Sequence, residues 1–251
     1  MNMKKSAVAF IVCLFLVLAF GITYIFTELY SEDEAPQPTI TDASKFKEEY
    51  EKVNGEVQGE KTVRTLKIDE NNPFIYATED EIVNMIEEKK SFVVYFGFST
   101  CPWCRSVLES MISSAKNNKI DKIYYVDVLN IRDKYELNDK KEAVKTVEGT
   151  KGYYRLLELL DSVLADYEPL TYETKKGKTK KVKIDEKRIY APNVVVVKNG
   201  NAVSLETGMV DALTDPYMEL TDALKNSMKC KFDCLFELMT ENNTCSTDTI
   251  C

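Results

Sequence analysis

The chain has 251 residues and not one histidine. That absence removes Ser-His and Cys-His nucleophile pairs and every His-ligated metal site. Positive charge is in short supply as well: 33 Lys and Arg stand against 41 Asp and Glu, a formal net charge of −8. Such a balance lacks the basic footprint of a nucleic-acid binder, so no nucleic-acid partner is expected. Internal repeats and low-complexity segments are absent. What remains is an ordinary globular composition, 44% hydrophobic, with seven cysteines.

The longest charge-free run is Ser6 to Thr27, preceded by Lys4 and Lys5 and followed by Glu28, Glu32, Asp33 and Glu34. About 20 apolar residues cross a bilayer, and basic-before, acidic-after places the N-terminus in the cytoplasm. Residues 1–27 therefore read as a single-pass cell-membrane anchor, with the rest of the chain extracytoplasmic. The alternative is a cleaved signal that releases a secreted protein. Ala19-Phe20-Gly21 is a weak cleavage site, however, and signal cores stop at about 15 residues. Cys13 is an apolar filler of the anchor.

Residues 28–60 form an acidic tether with Pro36 and Pro38, then a short charged helix from Ala43 to Val53 ended by Asn54-Gly55. Residues 61–228 carry an α/β pattern. Val63 to Ile68 reads as a first strand. Thr78-Glu79-Asp80-Glu81 is a capping box that opens a helix with Ile82, Met85 and Ile86 on one face. Phe92 to Phe98 is a near-continuous apolar strand, as in a sheet covered on both faces. A helix follows from Cys104 to Lys116, then a strand from Lys122 to Val128. Strand, helix, strand, helix, strand implies parallel pairing through right-handed crossovers. Residues 130–188 interrupt that rhythm with a helical stripe from Tyr153 to Tyr167 and a hairpin over Leu170 to Ile184. The hairpin's lysines read as a solvated edge. The rhythm then resumes. Asn199-Gly200 is a type I′ turn signal after the strand Asn193 to Lys198, and Asp215-Pro216 reads as the start of the last helix.

The chemistry concentrates at Cys101-Pro102-Trp103-Cys104, between the apolar strand and the helix. A thiol at a helix N-terminus meets unpaired backbone N–H groups and the positive end of the dipole, which favour thiolate. Cys101 is the expected attacking thiolate, partly exposed, and Cys104 the resolving thiol. Zinc would need two further ligands from a distant segment with no histidine available, so no metal site is expected. No cofactor is called for, because the thiols themselves carry the electrons. Pro102 stiffens the loop, and Trp103, the only tryptophan, reads as exposed beside Cys101 and in reach of substrate.

With these motifs in view, the chain resembles the thioredoxin superfamily over about residues 63–228, the insertion excepted. The resemblance rests on strand–C-x-x-C–helix, on Ala191-Pro192 before a strand–Asn-Gly–strand hairpin, and on a closing helix. The stretch Phe96-Gly97-Phe98-Ser99-Thr100-Cys101-Pro102-Trp103-Cys104-Arg105 is similar to membrane-anchored or secreted thioredoxin-like proteins of Gram-positive bacteria, the bacteriocin transport accessory proteins among them. The resemblance implies a thioredoxin-like fold, a central mixed sheet flanked by helices, and thiol–disulfide exchange with secreted proteins or peptides. It also implies a membrane redox partner, and a cis Pro192 that lines the site together with Ala191. There, extended substrate would pair like an added strand. The family carries a buried Asp six positions before the first cysteine; Tyr95 stands there here. Asp127, at the end of the following strand, is the candidate replacement as proton acceptor. The insertion parallels the helical insertion of DsbA-type oxidases in place, though it is shorter. A non-catalytic module that binds an exported peptide is the alternative function.

Residues 229–251 read as a cysteine-rich tail. Cys230 and Cys234 are four apart and share a helix face; Cys245 and Cys251 follow a polar turn. Structural disulfides are expected, as fits an oxidising compartment. The pairing Cys230–Cys251 with Cys234–Cys245 is the first arrangement, and Cys230–Cys245 with Cys234–Cys251 the second.

Overall fold

The computed structural model describes residues 41–240. The expected anchor at 1–27, most of the acidic tether, and Cys245 and Cys251 lie outside them. Among the described residues, no helix is long and apolar enough to cross a membrane.

The fold is α/β. Its centre is a five-stranded mixed sheet of β3 (Phe74–Tyr76), β4 (Phe92–Gly97), β5 (Ile123–Asp127), β12 (Asn193–Lys198) and β13 (Asn201–Glu206), in the order β13-β12-β4-β5-β3. β5 runs parallel to both β3 and β4, whereas β12 is antiparallel to β4 and β13. Because side chains alternate along a strand, the apolar run of β4 feeds two cores. Val93 and Tyr95 point to one face and Phe92, Val94 and Phe96 to the other. The first face packs α1 (Asp42–Lys52), α3 (Pro102–Asn117) and α5 (Asp222–Glu237). The second packs α2 (Glu79–Glu87) and α4 (Lys151–Leu160). Each fully buried large apolar side chain contributes about 1.5–3 kcal/mol, which is why both faces must be covered.

The helices begin where side-chain oxygens can take the orphan amides. Thr41 and Ser44 form a capping box on α1, Thr78 and Glu81 form one on α2, and Thr150 and Thr221 cap α4 and α5. The β12–β13 turn carries Asn199 and Gly200 at φ of 51° and 76°, the left-handed pair that a type I′ turn needs. On α3, Ser106, Ser110 and Ser114 recur every fourth residue, all buried. Their hydroxyls donate to the Pro216 carbonyl, the Lys225 carbonyl and the Asp233 carboxylate at 2.8, 3.0 and 2.6 Å. Small side chains that satisfy their own polar atoms let α5 lie close against α3.

Between β5 and β12 lies the insertion. β6 (Lys134–Leu137) pairs with β7 (Ala143–Val147), β8 (Ala165–Asp166) with β11 (Lys187–Arg188), and β9 (Leu170–Glu173) with β10 (Thr179–Val182). Asp133 holds it together: its buried carboxylate lies 3.0 Å from Arg188 and 3.9 Å from Lys145. The expected hairpin is present as β9–β10. The helix is shorter than the apolar stripe implies, ending at Leu160, with Tyr167 beyond it stacking under Arg188.

Two expected elements are corrected. Val63 to Ile68 is not a strand of the sheet. Its backbone is taken by side chains of α1 and the turn after it: Leu66 exchanges two bonds with Asn54, the Ile68 amide donates to Glu51, and Lys47 donates to the Ile68 carbonyl. The short ladder just before it pairs β1 (Val57–Gln58) with β2 (Lys61–Thr62) instead. Asp215-Pro216 does not start the last helix. Asp215 accepts from the Tyr217 amide in a local turn, and α5 begins only after Thr221. α5 then runs unbroken through Cys230 and Cys234, so those residues belong to the packed helix rather than to a tail. Both are disulfide-bonded.

Arg105 ties the first face together. It is 1% exposed, and its guanidinium donates to the carbonyls of Tyr50, Ser99 and Arg64 at 2.8, 3.0 and 2.9 Å and to the Asn54 side chain. Substitution Arg105→Met strands these acceptors in the interior. It is expected to cost about 3 kcal/mol or more, read from urea unfolding midpoints at unchanged slope.

Candidate functional site

The Cys101-Pro102-Trp103-Cys104 segment sits where β4 ends and α3 begins. Cys101 is the N-cap of α3, with extended backbone at φ −71°, ψ 115°. Its sulfur accepts a hydrogen bond from the Cys104 amide at 3.2 Å, a place usually filled by a Ser, Thr or Asp oxygen. Pro102 occupies the first helical position, where a missing N–H costs nothing. Cys101 and Cys104 are the free cysteines among the described residues.

The second wall comes from β12. The Ala191–Pro192 peptide is cis, as the resemblance implies for this bond. The Cys101 thiol donates to the Ala191 carbonyl at 3.4 Å, so Ala191, Pro192 and the cysteine loop meet in one place. Pro192 is buried and Ala191 half-buried. Two expectations change in detail. Cys101 is 3% exposed rather than partly open, because the Ala191 carbonyl lies over its sulfur. Trp103 is half-buried and packs against the first-face core, so it is anchored beside the site rather than projecting freely.

The two thiols are shifted in opposite directions. The hydrogen bond from Cys104 is the largest influence on Cys101 and lowers its pKa. Burial opposes this, and the amides of Cys104 and Trp103 and the Arg132 guanidinium lower it further; the net direction is down. Cys104 is pushed far up, first by burial and then by its bond to Cys101 and that neighbour's charge; only Tyr95 and the Phe98 backbone act the other way. Cys101 is therefore the more readily ionised thiol and Cys104 the one that holds its proton more firmly.

Asp127, the candidate proton acceptor, is engaged locally. Its carboxylate accepts from the Leu129 amide at 2.8 Å and bonds to neither cysteine. Burial raises its pKa, with Glu49 adding to the rise and the Leu129 amide and Arg132 opposing it. The side chain that acts on the Cys104 thiol is Tyr95, on β4, which lowers its pKa. Gly97 is the reason it fits: a Cβ there would lie 2.3 Å from the Tyr95 hydroxyl.

Arg132 escaped the sequence reading. It lies in the insertion, five residues after Asp127 and hence beside the C-terminal ends of β4 and β5, where Gly97 pairs with Asp127. It donates to the Ile189 carbonyl at 3.4 Å and lies 5.5 Å from the centre of the Phe98 ring. Its buried Nε has no partner. The available signal was a cation just past the end of a strand parallel to the one that leads into the cysteine loop. Among the described residues, no three of Cys, Asp and Glu gather as a metal site.

Alkylation by iodoacetamide followed across pH is expected to show two thiols, Cys101 titrating below the ordinary cysteine value and Cys104 above it. Arg132→Gln removes a cation that favours the thiolate, so the Cys101 midpoint is expected to move up while Cys104 stays the less reactive thiol. Comparison of the chain with protein-family models, with curated proteins and with solved structures found no match.

Proposed function

We propose that the protein is a thiol–disulfide oxidoreductase with a thioredoxin-like domain, exchanging disulfides with secreted proteins or peptides outside the cytoplasmic membrane. The observation that carries this reading is the Cys101 sulfur: it caps α3, is favoured as thiolate, and faces the cis Ala191–Pro192 segment. The sheet order, with three parallel strands and an antiparallel pair joined by the Asn199-Gly200 turn, is compatible with the same family. In this reading residues 6–27 tether the domain to the membrane, and a membrane redox partner resets the pair.

The exchange proceeds in two displacements. The Cys101 thiolate attacks one sulfur of a client disulfide. A bond forms between Cys101 and that sulfur, and the second client sulfur leaves as thiolate and takes a proton. Cys104 then loses its proton and attacks the Cys101 sulfur. The Cys101–Cys104 disulfide forms, and the first client sulfur leaves. The client gains two electrons and the pair loses two; the same steps in reverse oxidise a client dithiol. The Ala191 carbonyl, which accepts from the resting thiol, loses its donor once Cys101 ionises and becomes available to an extended client strand.

The deep burial of Cys101 favours attention to a second reading, a module that binds an exported peptide and uses the cysteines as a latch. The two are separated by Cys104→Ala. An oxidoreductase is expected to accumulate mixed disulfides with extracytoplasmic proteins through Cys101, absent from the double variant with Cys101→Ala. A binding module keeps its partner in all three proteins, without a covalent link.

A further inference from the structure

Tyr95 is only the first of a set of hydroxyls. Cys104, Tyr95, Tyr50 and Tyr125 are all 0% exposed, on four different elements. The Tyr95 side chain lies close enough to the Cys104 thiol to lower its pKa. The Tyr95 hydroxyl lies 3.0 Å from the Tyr50 hydroxyl on α1. Tyr50 packs against Tyr125 on β5, and the two hydroxyls act on each other's pKa. Tyr125 donates to the Glu49 carboxylate at 3.1 Å, and Tyr76 donates to the other oxygen of the same carboxylate. The rings that carry these hydroxyls are locked in place: Tyr95 stacks on Tyr125 at 5.5 Å, and Tyr50 packs edge-on to Tyr125 at 6.0 Å. An apolar residue at any of these positions would fill the core as well. Three adjoining buried hydroxyls that lead from the resolving thiol to a half-buried carboxylate are a polar path through an otherwise apolar interior.

We infer that Tyr95, Tyr50 and Tyr125 form a proton relay between Cys104 and Glu49, which does the work of the missing buried carboxylate. This rests on the oxidoreductase reading and deepens it. In the mixed disulfide, the Cys101 charge that opposes ionisation of Cys104 is gone. Cys104 passes its proton to the Tyr95 oxygen while Tyr95 passes its own to Tyr50. Tyr50 passes one to Tyr125, and Tyr125 passes one to Glu49. Three hydroxyls end as hydroxyls with their bonds reversed, Glu49 ends protonated, and Cys104 ends as the thiolate that attacks Cys101. Glu49 then gives the proton to solvent. In the opposite direction the same chain returns a proton to Cys104. Burial drives the Tyr50, Tyr95 and Tyr125 pKa values up, so none of them holds the charge and each only hands it on.

The charged groups around Glu49 are few. From the strands it faces Tyr76, Tyr125 and Asp127, whose carboxyl it pushes up. On its own helix, Lys45 sits 3.9 Å over the Tyr76 ring and Asp42 acts on the same tyrosine. Asp127 stands close enough to Glu49, the outlet of the relay, to have its own pKa raised by it.

The test uses the full-length reduced chain and oxidised glutathione as the probe, at an excess that makes resolution the slow step. Acid-quenched samples are read by mass spectrometry for the Cys101–glutathione adduct and then the Cys101–Cys104 disulfide. In Glu49→Gln and in Tyr125→Phe, adduct formation is expected at the wild-type rate. Resolution at pH 7 is expected to slow about tenfold or more, with the gap narrowing as pH rises toward 9 and hydroxide replaces the relay. Thermal midpoints guard against a folding defect, and Glu49→Asp is expected to restore part of the rate. Adducts that resolve in both variants at the wild-type rate from pH 6 to 9 overturn the relay alone. So does an equal, pH-independent slowing of both steps, which marks a packing defect. A wild-type chain that forms no adduct overturns the oxidoreductase reading and the relay with it.

Discussion

The organising contact of this protein is the hydrogen bond from the Cys104 amide to the Cys101 sulfur. A cysteine as N-cap puts the most polarisable side chain of the loop at the positive end of a sixteen-residue helix. Everything else nearby serves to hold that end still. Pro102 fixes the first turn, Arg105 bolts it to α1 and to the Ser99 carbonyl, and the serine stripe seats α3 against α5. The insertion contributes Arg132, and β12 contributes the Ala191 carbonyl. The same geometry that settles charge on Cys101 denies it to Cys104, which lies one turn deeper, without exposure and beside a negative neighbour.

The proposed exchange depends on that asymmetry. One thiol must ionise readily, and the other only when the first is engaged. Burial makes Cys104 selective in time but slow, unless its proton has somewhere to go. A buried carboxylate directly beneath would solve that and would add the cost of an uncompensated charge in the core. Neutral hydroxyls avoid that charge in the core and leave the carboxylate, Glu49, at its rim. In the proposed relay the tyrosine cluster serves packing and chemistry together, since the stacked rings form the core between α1, β3, β4 and β5.

Much of this was legible in the residues. The capping box at Thr78, the doubly apolar run of β4, the Asn199-Gly200 turn and the cysteine loop each carry a local physical signal, and each appears where that signal puts it. The errors fall where tertiary contacts override local pattern. Val63 to Ile68 alternates like a strand, but α1 and Asn54 supply its hydrogen bonds. Asp215-Pro216 has the residues of a helix start, yet the Pro216 carbonyl is claimed by Arg64 and Ser106 and the chain turns once more. Asp127 sits at the expected height along β5, but the cysteine is reached from the neighbouring strand, by Tyr95 over Gly97. Glu49 leaves no mark on the sequence, and Arg132 only that of a cation just past the end of a strand. Both are ordinary surface-type residues made important by what the fold sets beside them.

The central claim is that Cys101 and Cys104 form a reversible redox pair. Its most direct test is equilibration of the full-length chain with defined ratios of reduced and oxidised glutathione, with the state of the 101–104 segment read by alkylation and peptide mass. The account predicts a single two-electron transition between about −270 and −120 mV, the span of known dithiol oxidoreductases. A pair that stays reduced or stays oxidised across every ratio would contradict it.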